Sequence, residues 1–188
     1  MASTRRDEIL AQASALFARN GFHGVSIDDL GAAVGMTGPA LYRYFSGKEA
    51  ILSAMLVDIS ERLLAGGEQR ATTHRQAEDV LGALVDFHVD FALDNPDLIA
   101  VQMRDLAAMP EAEQRTVRRL QARYVGLWVD ALVEWRPEFD GESARAAVQA
   151  AFGLINSTPH SARLSRPAMA ALLRGMALAA LAQAPAPR

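Results

Sequence analysis

The chain has 188 residues, 51% of them apolar, with 19 Lys plus Arg against 22 Asp plus Glu and a net charge of -3. That length accommodates one large or two small domains with a real core. It has no cysteine, which excludes disulfides and thiolate metal sites, and so acidic a chain offers nucleic acid no general positive field.

Taken in order, nearly every periodic stretch has helical spacing and none alternates as a strand does. A first helix is expected over residues 4–20, with Ile9, Ala13, Leu16 and Phe17 on one face and Asn20-Gly21 as a left-handed stop. Ser26 and Asp29 form a capping box for a second helix that ends near Gly35, with Val25 and Leu30 as its hydrophobic staple. Thr37 is placed as the cap of a short third helix with Pro39 in its first turn. Gly35-Met36-Thr37 between them is the tight turn of a helix-turn-helix, and Phe17, Leu30, Val34, Leu41 and Phe45 are expected to close a small core behind it. A fourth helix is assigned to 47–64, followed by a loop from Gly66-Gly67 to Gln76. Further helices are expected over 76–94, from Pro96 to before Pro110, over 110–136, over 141–156 and over 167–183. Pro159 is assigned to a loop, and the tail 184–188 is expected to fray. The fold class is therefore all-α, about nine helices, with a boundary after residue 46: a head over 1–46 and a body over 47–188.

The first eight residues turn acidic and contain no apolar run, so they do not read as a signal peptide. The most apolar stretch, 168–184, is interrupted by Arg174 and is short for a membrane span. A soluble, cytoplasmic protein with no membrane partner is the expectation.

Lys48 is the only lysine in the chain. It stands in Ser46-Gly47-Lys48-Glu49, where Ser46 and Glu49 read as a capping box. A cation in the first turn opposes the helix dipole, but it strengthens an anion site there, above all for phosphate. Just upstream lies Thr37-Gly38-Pro39-Ala40-Leu41-Tyr42-Arg43-Tyr44-Phe45, read as a DNA-contacting helix followed by a phosphate clamp.

These segments resemble the TetR family of bacterial transcriptional regulators. The match lies in Gly21-Phe22, Val25-Ser26-Ile27, Leu30 through Met36, Leu41-Tyr42-Arg43-Tyr44-Phe45 and Lys48-Glu49-Ala50-Ile51-Leu52. One departure is Gly31, where the family usually has alanine; a glycine there is expected to loosen the second helix slightly. The resemblance implies a homodimer whose third helices enter the major groove at the half-sites of a palindromic double-stranded operator. It puts Thr37, Gly38, Pro39 and Ala40 at the groove, Tyr42 and Tyr44 on sugar-phosphate, and Lys48 on a phosphate. Ser26 has a hydroxyl or amide to offer another. Arg43 is the candidate for reading guanine, since a guanidinium grips O6 and N7 together.

In such bodies the helices surround an effector pocket. The candidates are Met55, Ile59, Phe87, His88, Phe91, Met103, Leu106, Tyr124, Leu127 and Trp128, suited to a small hydrophobic effector. The body's general look is similar to that of lipid-metabolism regulators. Arg115, Arg118, Arg119 and Arg123 then suggest an anionic lipid such as an acyl-CoA, against the plainer reading of surface pairs such as Glu111 with Arg115. A dimer interface is assigned to the small-residue face of Ala146, Ala150, Gly153 and Leu154 with Ala171, Leu172, Gly175, Leu178 and Ala179. No cofactor and no metal are expected. Asp86, His88 and Asp90 do not make an acid-base site, because i, i+2 spacing on a helix sends side chains to different faces. The functional expectation is a repressor released by its effector; activation, or regulation without an effector, is the alternative, followed by a small-molecule-binding module or an all-helical enzyme.

Overall fold

The computed structural model describes residues 4–183, and no strand occurs among them. The described residues pack as two compact units: one runs up to Ser60 and takes in Asp97–Arg118, and the other comprises Glu61–Pro96 and residues 119–183.

In the first unit, α1 (Arg5–Asn20) starts on a reciprocal Thr4–Asp7 capping box and ends where the Gly21 amide, at φ +75°, donates to the Phe17 carbonyl. α2 (Ile27–Ala33) starts on the Ser26–Asp29 box read from the sequence. Gly35, at φ +66°, turns the chain into α3 (Gly38–Leu41), which tightens into a turn through Tyr44. Thr37 occupies the cap position of α3, yet its side chain makes no capping bond. The start of α4 (Lys48–Thr73), α6 (Pro96–Asp105), a 3-10 turn at Leu106–Ala108 and the first turns of α7 (Glu111–Trp135) complete the unit. Phe17, Leu30, Val34, Leu41 and Phe45 are all buried in its core. Gly31 does more than dilute helix propensity. A Cβ there would lie 2.8 Å from the Met36 carbonyl oxygen and 3.0 Å from the Gly38 nitrogen, so the glycine admits the α2–α3 turn to close approach.

In the second unit, α10 (Arg166–Ala182) packs on α5 (Ala77–Asp94) and α8 (Gly141–Ile155). Arg166 bridges to Asp90 and Asp94, and Arg174 pairs with Asp86. The chain reverses between α8 and α10 through a short helix, α9 (Thr158–Ser161), where a loop was expected. Pro159 stands in its first turn, which needs no amide, and the Thr158 hydroxyl donates to the Ala92 carbonyl at 3.0 Å.

The largest departure from the sequence reading is α4. It continues through Gly66-Gly67 to Thr73 instead of breaking. The pair serves close packing. A Cβ on Gly66 would come within 2.3 Å of the Phe87 ring, and one on Gly67 within 2.7 Å of the Tyr124 ring and 3.0 Å of Leu127. Phe87 is half-buried and its ring end can swing, whereas Tyr124 is buried and hydrogen-bonded. Gly67→Ala therefore gains about 1 kcal/mol of helix propensity but overpacks a fixed ring at a cost of about 1–3 kcal/mol. A net loss of about 1 kcal/mol is expected in urea unfolding; an unchanged or higher midpoint would show that Tyr124 yields.

The tail 184–188 lies outside the described residues. Among the described residues no helix is long and apolar enough to cross a membrane.

Candidate nucleic-acid interface and effector core

Lys48 is committed within its own unit. Its ammonium donates to the Phe22 carbonyl at 3.2 Å and the Val25 carbonyl at 3.1 Å, and lies 4.6 Å from the Phe22 ring centre. It thus ties the turn before α2 to the first turn of α4. Two of its three donors are taken, leaving one for any phosphate. From α6, Arg104 completes a second clamp. It donates to the Phe17 and Ala18 carbonyls at the end of α1 and is held by Asp105, which is buried. The sequence reading missed Arg104, whose carbonyl partners lie more than eighty residues away.

Ser26 is similarly engaged. Its hydroxyl and its amide both donate to the Asp29 carboxylate, at 2.6 and 2.9 Å. Those bonds hold the Asp29 carboxyl below the usual range. Gly38 is buried against Asp28, and Ala40 is half-buried. Thr37, Pro39, Tyr42, Arg43 and Tyr44 are exposed, Tyr42 at 56% and Tyr44 at 42%. Among the described residues, Tyr42, Arg43 and Tyr44 make no side-chain hydrogen bond or ion pair within the chain. Two aromatic side chains and a guanidinium left free beside a tightly bonded turn form a surface suited to sugar-phosphate and a base edge.

The effector candidates separate. Met55 and Ile59 are buried in the α4 segment of the first unit, and Leu106 packs against that unit's core. Met103 on α6 is 68% exposed. Leu127 is half-buried, and Phe87 lies under the Arg70 guanidinium at 3.9 Å. His88, Phe91, Tyr124 and Trp128 do come together in the second unit, with Phe152 and Asn156 of the α8 end, which the sequence reading did not single out. His88 Nε2 is 3.1 Å from the Asn156 side-chain oxygen, and the Tyr124 hydroxyl is 3.4 Å from Nδ1. Asn156 presents an acceptor, so Nε2 carries the ring proton and Nδ1 accepts from Tyr124. Burial pushes His88 down to about 4, partly offset by Asn156, and pushes the Tyr124 hydroxyl well up. The cluster is neutral at physiological pH.

Residues 9–55 match the family model described as bacterial regulatory proteins of the tetR family, and residues 74–160 match the tetracyclin repressor-like C-terminal domain. The chain belongs to the TetR family. It is a DNA-binding transcriptional regulator and not an enzyme. It is 26% identical over 160 residues to the HTH-type transcriptional activator FasR of Mycolicibacterium smegmatis, covering 85% of this chain and 71% of that protein. Its fold matches a TetR-family regulator from Bordetella parapertussis 12822 with a TM-score of 0.85 and 27% identity, over 94% of this chain and 95% of that one. It also matches AibR in complex with isovaleryl coenzyme A and operator DNA, with a TM-score of 0.77 and 17% identity, over 92% and 97%.

On this TetR-family body, Ala146, Ala150, Gly153, Ala171, Leu172, Gly175 and Ala179 are exposed, and Leu154 and Leu178 are half-buried. A Cβ on Gly153 or Gly175 would meet nothing within 4 Å. Leu154 and Leu172 also line an apolar groove of about 390 Å³ with Leu164, Met169 and Met176. Of the four arginines on α7, Arg115 bonds Glu111, Arg118 bonds Gln114 and Arg123 bonds Glu68. Asp86 and Asp90 pair with different arginines of α10 while His88 is buried, so the i, i+2 trio disperses as its spacing requires.

Proposed function

We propose that this cytoplasmic regulator binds a palindromic operator as a homodimer and represses transcription there until a small hydrophobic effector releases it. The observation that carries the DNA reading is the free, exposed trio Tyr42, Arg43 and Tyr44 next to exposed Thr37 and Pro39. Gly38 and Ala40 add backbone and a methyl at most. Lys48 retains one donor for a phosphate, while Ser26 would have to share donors already on Asp29. The open small-residue face of α8 and α10, with exposed Leu164, Leu172 and Met176, supports pairing with a second copy. An acyl-CoA or related lipid effector is supported by AibR, whose fold this chain shares and which binds isovaleryl coenzyme A. Effector and operator binding are reciprocal: each weakens the other by the same factor.

The test is fluorescence anisotropy with duplexes tiled from the gene's own upstream region, against scrambled DNA at physiological salt. Tight palindrome-dependent binding is expected, and equal, weak, salt-sensitive binding to every duplex would sink the operator reading. Tyr42→Ala should weaken operator and scrambled DNA alike, by up to about tenfold, with the salt slope unchanged, because a neutral phenol displaces no counterion, and with no change in melting temperature. Activation is the second reading, favoured by the similarity to FasR. A promoter-reporter strain lacking the gene decides it: expression rises if the protein represses and falls if it activates.

A further inference from the structure

Trp128 is 0% exposed, and among the described residues its Nε1–H has no acceptor at full hydrogen-bond geometry. A buried donor without a partner forfeits its hydration with no return, and native cores rarely tolerate one without a reason. Phenylalanine would keep an aromatic ring there with no orphan, at the cost of a small void. Around the indole lie His88 edge-on at 6.0 Å between ring centres, Tyr124 at 6.2 Å and Phe152 at 4.8 Å. The histidine beside it is matched on both ring nitrogens. The Tyr124 hydroxyl donates a hydrogen bond to His88 Nδ1, and His88 Nε2–H donates to the Asn156 side-chain oxygen. The Tyr124 oxygen feels the indole N–H without reaching hydrogen-bond geometry. The unmet need is thus a single acceptor, inside an aromatic shell contributed by α5, α7 and α8.

We infer that Trp128 is a specificity-determining donor of the effector site, and that the part of the effector seated there is a neutral apolar chain whose carbonyl oxygen (ketone, ester or thioester) accepts from the Trp128 indole N–H. The inference rests on the effector reading above and narrows it. No cationic side chain belongs to the cluster. The nearest whose field reaches Tyr124 is Arg70, which already donates to the Gly66 carbonyl and stacks on Phe87. A carboxylate entering this shell would lose its hydration and gain one neutral hydrogen bond. A carbonyl has little hydration to lose and gains the same bond. Phe152, edge-on to His88 and tilted against Trp128, closes the shell on its α8 side, so a ligand seated beside the indole would press on α8.

The probes are 2-decanone and decanoate, titrated by calorimetry into the full-length protein and into Trp128→Phe, which keeps an aromatic body and deletes the N–H. Wild type should bind 2-decanone about tenfold tighter than decanoate, and Trp128→Phe should lose about that tenfold for the ketone alone. Equal ketone affinity in the two proteins, tighter binding of decanoate, or no ketone binding by wild type would each overturn the inference. Should Trp128→Phe fail to fold, ultraviolet resonance Raman on Trp135→Phe, where Trp128 is the only indole, reads the same bond. The N–H band must shift to its hydrogen-bonded position on adding 2-decanone, and an unshifted band at saturation overturns the inference. Operator anisotropy without ligand is run on both proteins. Its failure would count against the DNA reading and leave the ketone comparison standing.

Discussion

Replacing Lys48 by methionine is expected to destabilise the first unit by about 2–4 kcal/mol and to lower operator affinity with it. The sequence reading made this residue a phosphate clamp; the structure also makes it a tie between the first turn of α4 and the segment leading into α2. Its two bonds reach the Phe22 and Val25 carbonyls, whose side chains are both buried. Hydrogen bonds to a charged group contribute about 1.5–3 kcal/mol each. The ring contact with Phe22 adds about 0.5–1 kcal/mol. Partial exposure of the lysine and non-additivity bring the sum down. Methionine keeps the apolar stem and leaves two carbonyls unmet, so the turn carrying Ser26 loosens and α2 loses its fixed entry. The measurement is urea unfolding beside operator anisotropy across a salt series, with Tyr42→Ala as the reference that should leave stability alone. A residue acting only on phosphate would reduce the salt slope by about one contact and leave unfolding unchanged. That pattern would remove the structural role assigned here. Arginine is not expected to restore the wild type, because a planar fork does not reproduce a compact ammonium between two carbonyls.

What was legible in the sequence was local. The Ser26–Asp29 box, the Gly35 turn and the core positions of α1 to α3 depend on residues three or four apart, and the structure has each of them. The exposed Tyr42, Arg43 and Tyr44 follow from their place in the motif. Distant partners were not legible. Nothing near Lys48 announces Phe22 and Val25, and nothing near Arg104 announces the end of α1. The Gly66-Gly67 pair shows the limit most clearly. Two adjacent glycines read as a helix break, because propensity is the only term visible locally. The deciding term is the fit of Phe87 and Tyr124 against α4, and those rings come from α5 and α7. Asn156 was hidden in the same way: a polar residue just beyond the last turn of α8 looks like a cap, and only the fold brings it to His88, 68 positions away in the chain.

Acid should expose His88 as the largest pH-dependent term in the second unit. The imidazole is fully buried, and desolvation lowers it from 6.5 to about 4, with Asn156 opposing the shift. Between those two values the unfolded chain binds a proton that the folded protein refuses. Folding stability is therefore fully present above pH 6.5 and declines as pH falls toward 4. The shift corresponds to on the order of 3 kcal/mol. Carboxylates held below their usual range, such as Asp29 and Asp94, add their own losses only toward the acid end. The window from pH 6.5 to 5 therefore isolates the histidine. Protonation also breaks the local pattern of donors. Nδ1 would acquire a hydrogen facing the Tyr124 hydroxyl, which must then turn its own proton away, beside an indole N–H that already has no acceptor. Urea unfolding of wild type and His88→Leu from pH 7.5 to 5 separates this term from the rest. The variant should be weaker at pH 7.5, by about 1–3 kcal/mol, since Asn156 and Tyr124 lose their partner. Its stability should then stay nearly level where the wild type falls, so that the two curves converge. Parallel curves would mean that His88 takes up its proton without unfolding, and that the core of the second unit admits water where the packing of His88, Trp128 and Phe152 leaves it none.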